Sequence, residues 1–308
     1  MKIAIYGAGG VGGYFGGRLA QAGADVHLIA RGSHLEVLQE NGITVESVVG
    51  DFTQPVPATD DPHEIGPCDY VFVCVKSYDT ESVAVDLDPL LADDTAVVSL
   101  QNGVDNEEKL ADALGETSVL GGVAYIFSTI KEPGVIEHSG GPARIVFGEL
   151  DGTRSDRATA LANLCERADG MDGVLSGSIQ QELWRKYAFI CAQAGVTAAI
   201  RRPIGDIRET EESWDLFRSL LDEVVTVATA AGVAVPDTTT DEWVAFAREL
   251  EPTAYSSLHY DMVRGNRMEL EALHGTVVRK AADHDVSVPC TETIYAILKP
   301  WAVANENA

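Results

Sequence analysis

Lys186 stands in Trp184-Arg-Lys-Tyr-Ala-Phe-Ile-Cys-Ala-Gln193, and most of the residues after it are apolar. An ammonium at the base of so hydrophobic a stretch loses hydration, which lowers its pKa toward the range where it can release a proton. A lysine beside Trp184 and Arg185 is equally the mark of a solvated helix face. Glu269, in Arg267-Met-Glu-Leu-Glu-Ala-Leu-His-Gly275, is a carboxylate ahead of an amphipathic pattern. It either takes part in chemistry or complements a helix dipole. Ser257, in Tyr255-Ser-Ser-Leu, offers either a binding hydroxyl or a helix N-cap.

A second group of residues binds phosphate by type and spacing. Lys2 to Tyr6 is a short apolar run that leads into Gly7-Ala8-Gly9-Gly10-Val11-Gly12, and helical spacing of Tyr14, Phe15 and Leu19 comes next. In strand, turn and helix order, Gly7 permits the tight turn and Gly9 lets the backbone approach a pyrophosphate. Gly12 allows close helix-to-strand packing, and the N–H groups of the helix start face the negative charge. Gly13, Gly16 and Gly17 lie further along and serve packing. Arg31 follows the next strand, at the place where a site for unphosphorylated NAD needs a carboxylate. A guanidinium there suits a 2′-phosphate, so NADP(H) is the expected cofactor; an ordinary surface arginine is the other reading. Nicotinamide chemistry is hydride transfer, and reduction of a 2-oxo acid needs a proton donor for its carbonyl oxygen and groups that hold its carboxylate.

The elements that must position these residues divide into two kinds. Asp25 to Ala30, Asp69 to Val75, Thr95 to Leu100 and Val119 to Tyr125 read as further strands, the third of these runs ending in Gln101-Asn102-Gly103. Lys76 comes directly after the second run, and ligands of open α/β sheets collect at such strand ends. Gly134 to His138 and Arg144 to Phe147 read as a hairpin about a glycine-rich turn. After Ser176, helical patterns take over: Gln181–Ala199, Trp214–Ala230, Asp241–Leu250, Leu270–His284 and Glu292–Val303, with Asn305 to Ala308 expected to fray. The expectation is an α/β protein, with an N-terminal Rossmann-type parallel-sheet domain (1–176) that binds NADP and a C-terminal all-α domain (177–308) for substrate and dimerisation.

Taken in order, the N-terminal glycine motif, Arg31, Lys76, Gln101-Asn102-Gly103, Trp184-x-Lys186, Pro203-Ile-Gly205 with Arg208, Ser256-Ser257-Leu-x-x-Asp261, and Glu269 with Gly275 resemble the ketopantoate reductase family over nearly the whole chain. The resemblance implies that Lys186 is the general acid and also touches substrate. It implies that Glu269 binds the substrate hydroxyl and orients the lysine beside the cofactor. Asn102 then lies at the nicotinamide side of the cleft, in reach of cofactor and substrate, and Ser257 binds the substrate carboxylate. Arg31 and Lys76 correspond to the cations near the adenosine phosphate and the cleft. The chain departs from the family pattern at Ile190 and Ala194, where asparagines help bind ketopantoate, and at Asp79, where a glutamine is common. Gln193 lies only about 20° around a helix from Lys186, so its amide can replace a lost hydrogen-bonding group.

Composition narrows the partners. Net charge is −26, from 48 acidic against 22 basic residues, of which seven are lysines, so nucleic acid and anionic membrane are excluded as partners. Abundant carboxylates suit a halophile, and an acidic mesophilic enzyme is the alternative. Five scattered cysteines imply no disulfide framework, and with no leader or spanning segment in the sequence a cytoplasmic protein is expected. No G-x-S-x-G, H-E-x-x-H or C-x-x-C occurs, so neither a hydrolase elbow nor a metal site is expected. The long apolar helices of the second domain suit a homodimer. The leading function is reduction of ketopantoate to pantoate on the route to coenzyme A. The alternatives are reduction of another branched or aromatic 2-oxo acid, and a non-catalytic NADP-binding sensor.

Overall fold

A computed structural model describes residues 1–307, which divide into two compact units: Met1–Gln101 with Asn106–Ile179, and Asn102–Asp105 with the described residues from Gln180 onward. The first unit is built on strands that are buried in the central apolar runs and part-exposed elsewhere. These are β1 (Lys2–Tyr6), β2 (Asp25–Ile29), β3 (Ile43–Ser47), β4 (Phe52–Gln54), β5 (Ala58–Thr59), β6 (Tyr70–Val73), β7 (Ala96–Ser99), β8 (Val119–Glu132), β9 (Val135–Glu149) and β10 (Asp172–Leu175). Between them run α1 (Gly10–Gln21), α2 (Gly32–Asn41), α3 (Thr80–Asp86), α4 (Asn106–Leu114) and α5 (Asp156–Cys165). The sheet order is β4-β3-β9-β8-β7-β6-β1-β2-β5, with β10 pairing β9 off this path. From β5 to β8 every pair is parallel; β8 with β9 and β3 with β4 are antiparallel. The fold is thus the expected α/β class with a mixed sheet.

The expected hairpin is corrected by these pairings. Gly134–His138 and Arg144–Phe147 belong to one strand, β9, whose partner across the Pro133-Gly134 turn is β8. The glycines that suggested a turn, Gly140 and Gly141, instead absorb an irregularity: Tyr125 pairs with Arg144 but Phe127 with Gly140, so the two strands advance unequally. Extra residues on one strand bend it and raise its twist. The long hairpin thereby packs along α1, which also touches β1, β2, β3 and β4.

The glycines of α1 record this double packing. A Cβ at Gly12 or Gly16 would strike Ile5, while one at Gly13 would meet Ile136 and Ile43, and one at Gly17 the ring of Phe52. Glycine on two faces of one helix lets strands approach it from both sides. β3, β4 and β5 are not legible in the sequence because they are short and carry polar residues such as Thr44 and Glu46.

The second unit is helical: α6 (Ile179–Ile200), α7 (Ile204–Arg208), α8 (Glu211–Ala230), α9 (Thr239–Glu249), α10 (Ser257–Arg264), α11 (Thr276–Asp283) and α12 (Pro289–Glu306). A π turn, Glu271–Gly275, leads directly into α11. α6, about 33 Å long, is apolar on most faces, as a helix surrounded by others must be. Among the described residues, no helix is long and apolar enough to cross a membrane. Fraying was expected from Asn305 onward, yet Asn305 lies in α12 and its amide donates to the carbonyl of Asn266 at 2.9 Å. Ala308 lies outside the described residues.

Candidate active site

In the first unit the glycine loop connects β1 to α1 at the carboxyl end of the sheet. Gly7 has φ +100°, and a Cβ there would lie 2.9 Å from Val75 Cγ1, so glycine is needed for both conformation and space. The N–H groups of Gly7 and Ala8 both donate to the carbonyl of Ile29, at 3.1 and 3.0 Å. These two residues therefore shape the loop. Gly9 is the N-cap of α1, and a Cβ built on it would meet nothing within 4 Å. Gly10, Val11 and Gly12 form the first turn, where helix N–H groups lack intrahelical acceptors. An open backbone at Gly9 beside donors at a helix start fits a pyrophosphate.

β2 and β6 flank β1 in the sheet, so the residues after them border the same loop. Arg31 is the N-cap of α2 and exposed; Lys76 comes after β6 and is half-buried. The Arg31 guanidinium lies beside the hydroxyl of Tyr6, which donates to Asp86 at 3.1 Å. Burial and Asp86 push the Tyr6 phenol up, with Arg31 opposing. The carboxylate near the start of β2, Asp25, is at its far end, so no acidic residue stands in the place Arg31 occupies.

In the second unit, Lys186 lies in the second turn of α6, with Nζ donating to Asn102 Oδ1 at 2.8 Å. Asn102 is separated from α6 in sequence by the second segment of the first unit, Asn106–Ile179, but folds with the helices. Burial lowers the Lys186 ammonium from 10.5 to about 8, and the charge of Glu269 acts against that shift. Glu269 is itself buried, immediately ahead of the π turn. Lys186, Asn102 and Glu269 thus come together as one cluster. A half-buried, poorly hydrated amine whose charged form is only modestly favoured, beside a carboxylate and an amide, can hold a carbonyl oxygen and give it a proton.

Two residues that sequence reasoning missed hold the π turn against α6. Tyr187, next to Lys186, donates its hydroxyl to the carbonyl of Leu273, and His274 donates through Nε2 to the carbonyl of Cys191 at 3.0 Å. Burial drives the His274 imidazole down to about 4, so it stays neutral and keeps one N–H for this bond. Gly195 makes room for it, since a Cβ there would lie 2.8 Å from His274 Nε2. The pattern Leu-His-Gly at 273–275 was the available signal, but a π turn has no readable period.

Gln193 lies further along the Lys186 face of α6, is 6% exposed, and makes no side-chain hydrogen bond among the described residues. One turn later Thr197 meets Ser256 at 2.8 Å, and Ser256 caps α10 through the N–H of His259. The N-cap reading of Ser257 is therefore corrected. Ser256 caps because its side chain turns back onto the helix, and Ser257 is the exposed first residue of α10. Ile190 and Ala194, on the same helix as Lys186, are half-buried and buried.

Comparison with known proteins agrees over both units. Residues 3–152 match the family model for ketopantoate reductase PanE/ApbA, and residues 178–302 match that for its C-terminal part. The chain is 34% identical to the uncharacterised oxidoreductase YkpB of Bacillus subtilis, over 98% of this chain and 99% of that one. It is 32% identical to a 2-dehydropantoate 2-reductase of Halobacterium salinarum, over 97% and 98% of the two chains. The crystal structure of a PanE/ApbA family ketopantoate reductase from Ralstonia eutropha superposes with a TM-score of 0.91 at 32% identity, covering 99% of this chain and all of the other. A glycine loop at the start of the chain, a lysine and glutamate brought together in a helical unit, and matches that run almost end to end lead to one statement: this chain belongs to the ketopantoate reductase family of oxidoreductases.

Proposed function

We propose that the chain reduces ketopantoate to pantoate with NADPH, the first unit holding the nucleotide and the second the oxo acid. The observation that carries this reading is the Lys186 amine, 2.8 Å from Asn102 Oδ1, beside Glu269, and lowered to about 8. Relatives named 2-dehydropantoate 2-reductase at about one-third identity support the substrate. When bound, the nicotinamide supplies the hydride. Lys186 hydrogen-bonds the substrate carbonyl oxygen and gives it a proton as charge develops there. Glu269 keeps the ammonium populated at neutral pH and accepts a hydrogen bond from the substrate hydroxyl. Asn102 holds the lysine on the reacting side, and Ser257 with the open N–H groups of α10 receives the carboxylate.

The test is NADPH oxidation, measured by absorbance in concentrated potassium chloride, against a panel of 2-oxo acids that includes ketopantoate. Turnover of ketopantoate with the highest kcat/KM supports the reading; inertness toward the whole panel returns the chain to a nucleotide-binding sensor. A second reading keeps the chemistry and exchanges the substrate for another branched or aromatic 2-oxo acid. Ile190 favours it, because an apolar side chain one turn from Lys186 replaces an amide of the family pattern. The acidic composition supports the cytoplasm of a salt-adapted cell as the enzyme's setting, and the helical unit is the proposed homodimer contact.

Two substitutions separate the parts. Gln193→Leu is expected to raise KM for the true substrate about tenfold with kcat little changed, the effect of losing one hydrogen bond to a bound polar group. An unaltered KM removes Gln193 from the site. Arg31→Ala is expected to raise KM for NADPH by about 10- to 100-fold while leaving KM for NADH within about threefold, because a charge-assisted bond to a 2′-phosphate is lost only in NADPH. Equal losses with both cofactors argue against a phosphate-binding Arg31.

A further inference from the structure

We infer that His34 is a positioning residue for the nucleotide loop: it fixes the direction of the Ala8–Gly9 peptide by bridging that peptide to the β8–β9 turn. His34 sits in the first turn of α2, and its two ring nitrogens have different partners. The N–H of Gly134 donates to Nδ1 at 2.9 Å, and Nε2 lies 2.8 Å from the carbonyl oxygen of Ala8. Because Nδ1 accepts, it carries no proton, so the neutral ring holds its proton on Nε2 and donates it to Ala8. One ring therefore ties together α2, the glycine loop and a turn one hundred residues away.

That turn is a firm support. Gly134 has φ +78°, its carbonyl accepts from Thr44 N at 3.0 Å, and it packs against Val37 of α2 so closely that a Cβ would lie 2.3 Å from Val37 Cγ1. Both polar backbone groups of Gly134 are thus engaged, and the turn can hold the ring in place.

Peptide geometry carries the effect into the loop. A trans peptide points its C=O and N–H in opposite directions, and no peptide among the described residues is cis. With the Ala8 carbonyl held on His34, the Gly9 N–H is directed to the other side. Gly9 can turn its flanking peptides more freely than any other residue, because it lacks a Cβ and nothing crowds it. A turned-over Ala8–Gly9 peptide would present a carbonyl oxygen to the phosphates in place of a donor. The Ala8 N–H is already anchored on Ile29, which leaves the carbonyl as the group that must be held. His34 supplies that hold.

This inference rests on the reading of the glycine loop as a nucleotide site, and the experiment separates the two. Dissociation constants for NADPH are measured by fluorescence titration for the wild-type chain, His34→Leu and His34→Gln. The leucine variant can neither accept from Gly134 nor donate to Ala8; glutamine can do both. The expected result is an NADPH Kd raised about tenfold in His34→Leu and within about twofold of wild type in His34→Gln, with kcat at saturating NADPH unchanged in both. His34→Ala, which removes both bonds without adding bulk, takes the place of leucine if that variant does not fold. Equal Kd values for wild type and His34→Leu, or glutamine as weak as leucine, overturn the inference while leaving the nucleotide site standing. A wild-type chain that does not bind NADPH overturns the nucleotide reading, and this inference with it.

Discussion

Lys186→Met is expected to lower kcat for oxo-acid reduction by about 10³-fold and, at the same time, to make the protein harder to unfold at neutral pH. The loss comes from removing the proposed donor of the proton to the carbonyl oxygen, a contribution of about 10²- to 10⁴-fold in enzymes that use one. The gain comes from the direction of the pKa shift. Burial lowers the Lys186 ammonium from 10.5 to about 8, so folding at neutral pH must keep a charge where it is poorly solvated. A depression of that size corresponds to roughly 3 kcal/mol, less what solvent reaching the half-buried amine screens. The lost bond to Asn102 takes back about 1 kcal/mol, so a rise in Tm of a few degrees is the net expectation.

The sign fixes the pH window. The cost is fully present below about 8, where the amine is charged in both states, and it vanishes as pH rises toward 10.5. The stability advantage of the methionine variant therefore fades across that interval. Catalysis runs the other way: with Lys186 as the proposed proton donor, reduction needs the ammonium, so wild-type kcat/KM is expected to fall as pH rises past about 8. Calorimetry and pH-rate profiles on the two proteins check both. A methionine variant that keeps more than about a tenth of wild-type kcat would show that the proton comes from elsewhere.

The second large effect contrasts two neighbouring glycines. A Cβ on Gly10 would lie 2.4 Å from the carbonyl oxygen of Ser128 and 2.9 Å from Thr129 Cα, all of it β8 backbone. Gly10→Ala is therefore expected to destabilise the protein by about 2–3 kcal/mol, because the obstacle is backbone held in register with β9 and not the free end of a side chain. Gly9→Ala meets nothing, and the backbone at Gly9, φ −75°, accepts an L side chain. Its stability should stay within about 0.5 kcal/mol of wild type. The added methyl stands where a phosphate approaches the backbone in the proposed nucleotide site, so NADPH binding should weaken at least about tenfold. Urea unfolding and cofactor titration on both variants give the comparison. Unimpaired NADPH binding by Gly9→Ala would move the pyrophosphate away from this loop.

Much of the molecule could be read along the chain because its signals are local. The strand, glycine turn and helix of residues 2–21 occupy consecutive positions, and each step depends on its immediate neighbours. α6 was legible over 181–199 against an observed 179–200, since a long apolar run of good helix formers needs no tertiary help to be recognised. The hairpin failed for the opposite reason. Gly140-Gly141 has the composition of a turn, and only the pairing of β9 with β8 and β3 shows that it lies inside a strand.

Residue types and their order along the chain determined that a glycine loop opens a dinucleotide-binding fold, that a helical second half comes after it, and that an arginine stands where an acid would select NAD. Folding decided what those residues meet. Asn102 joins the helical unit and reaches Lys186 across 84 positions, and His34 reaches Gly134 across 100. Hydrogen bonds and desolvation act over a few ångströms in space, whatever the separation along the chain. An amine becomes a weak acid, or an imidazole a brace, only once packing has chosen its surroundings.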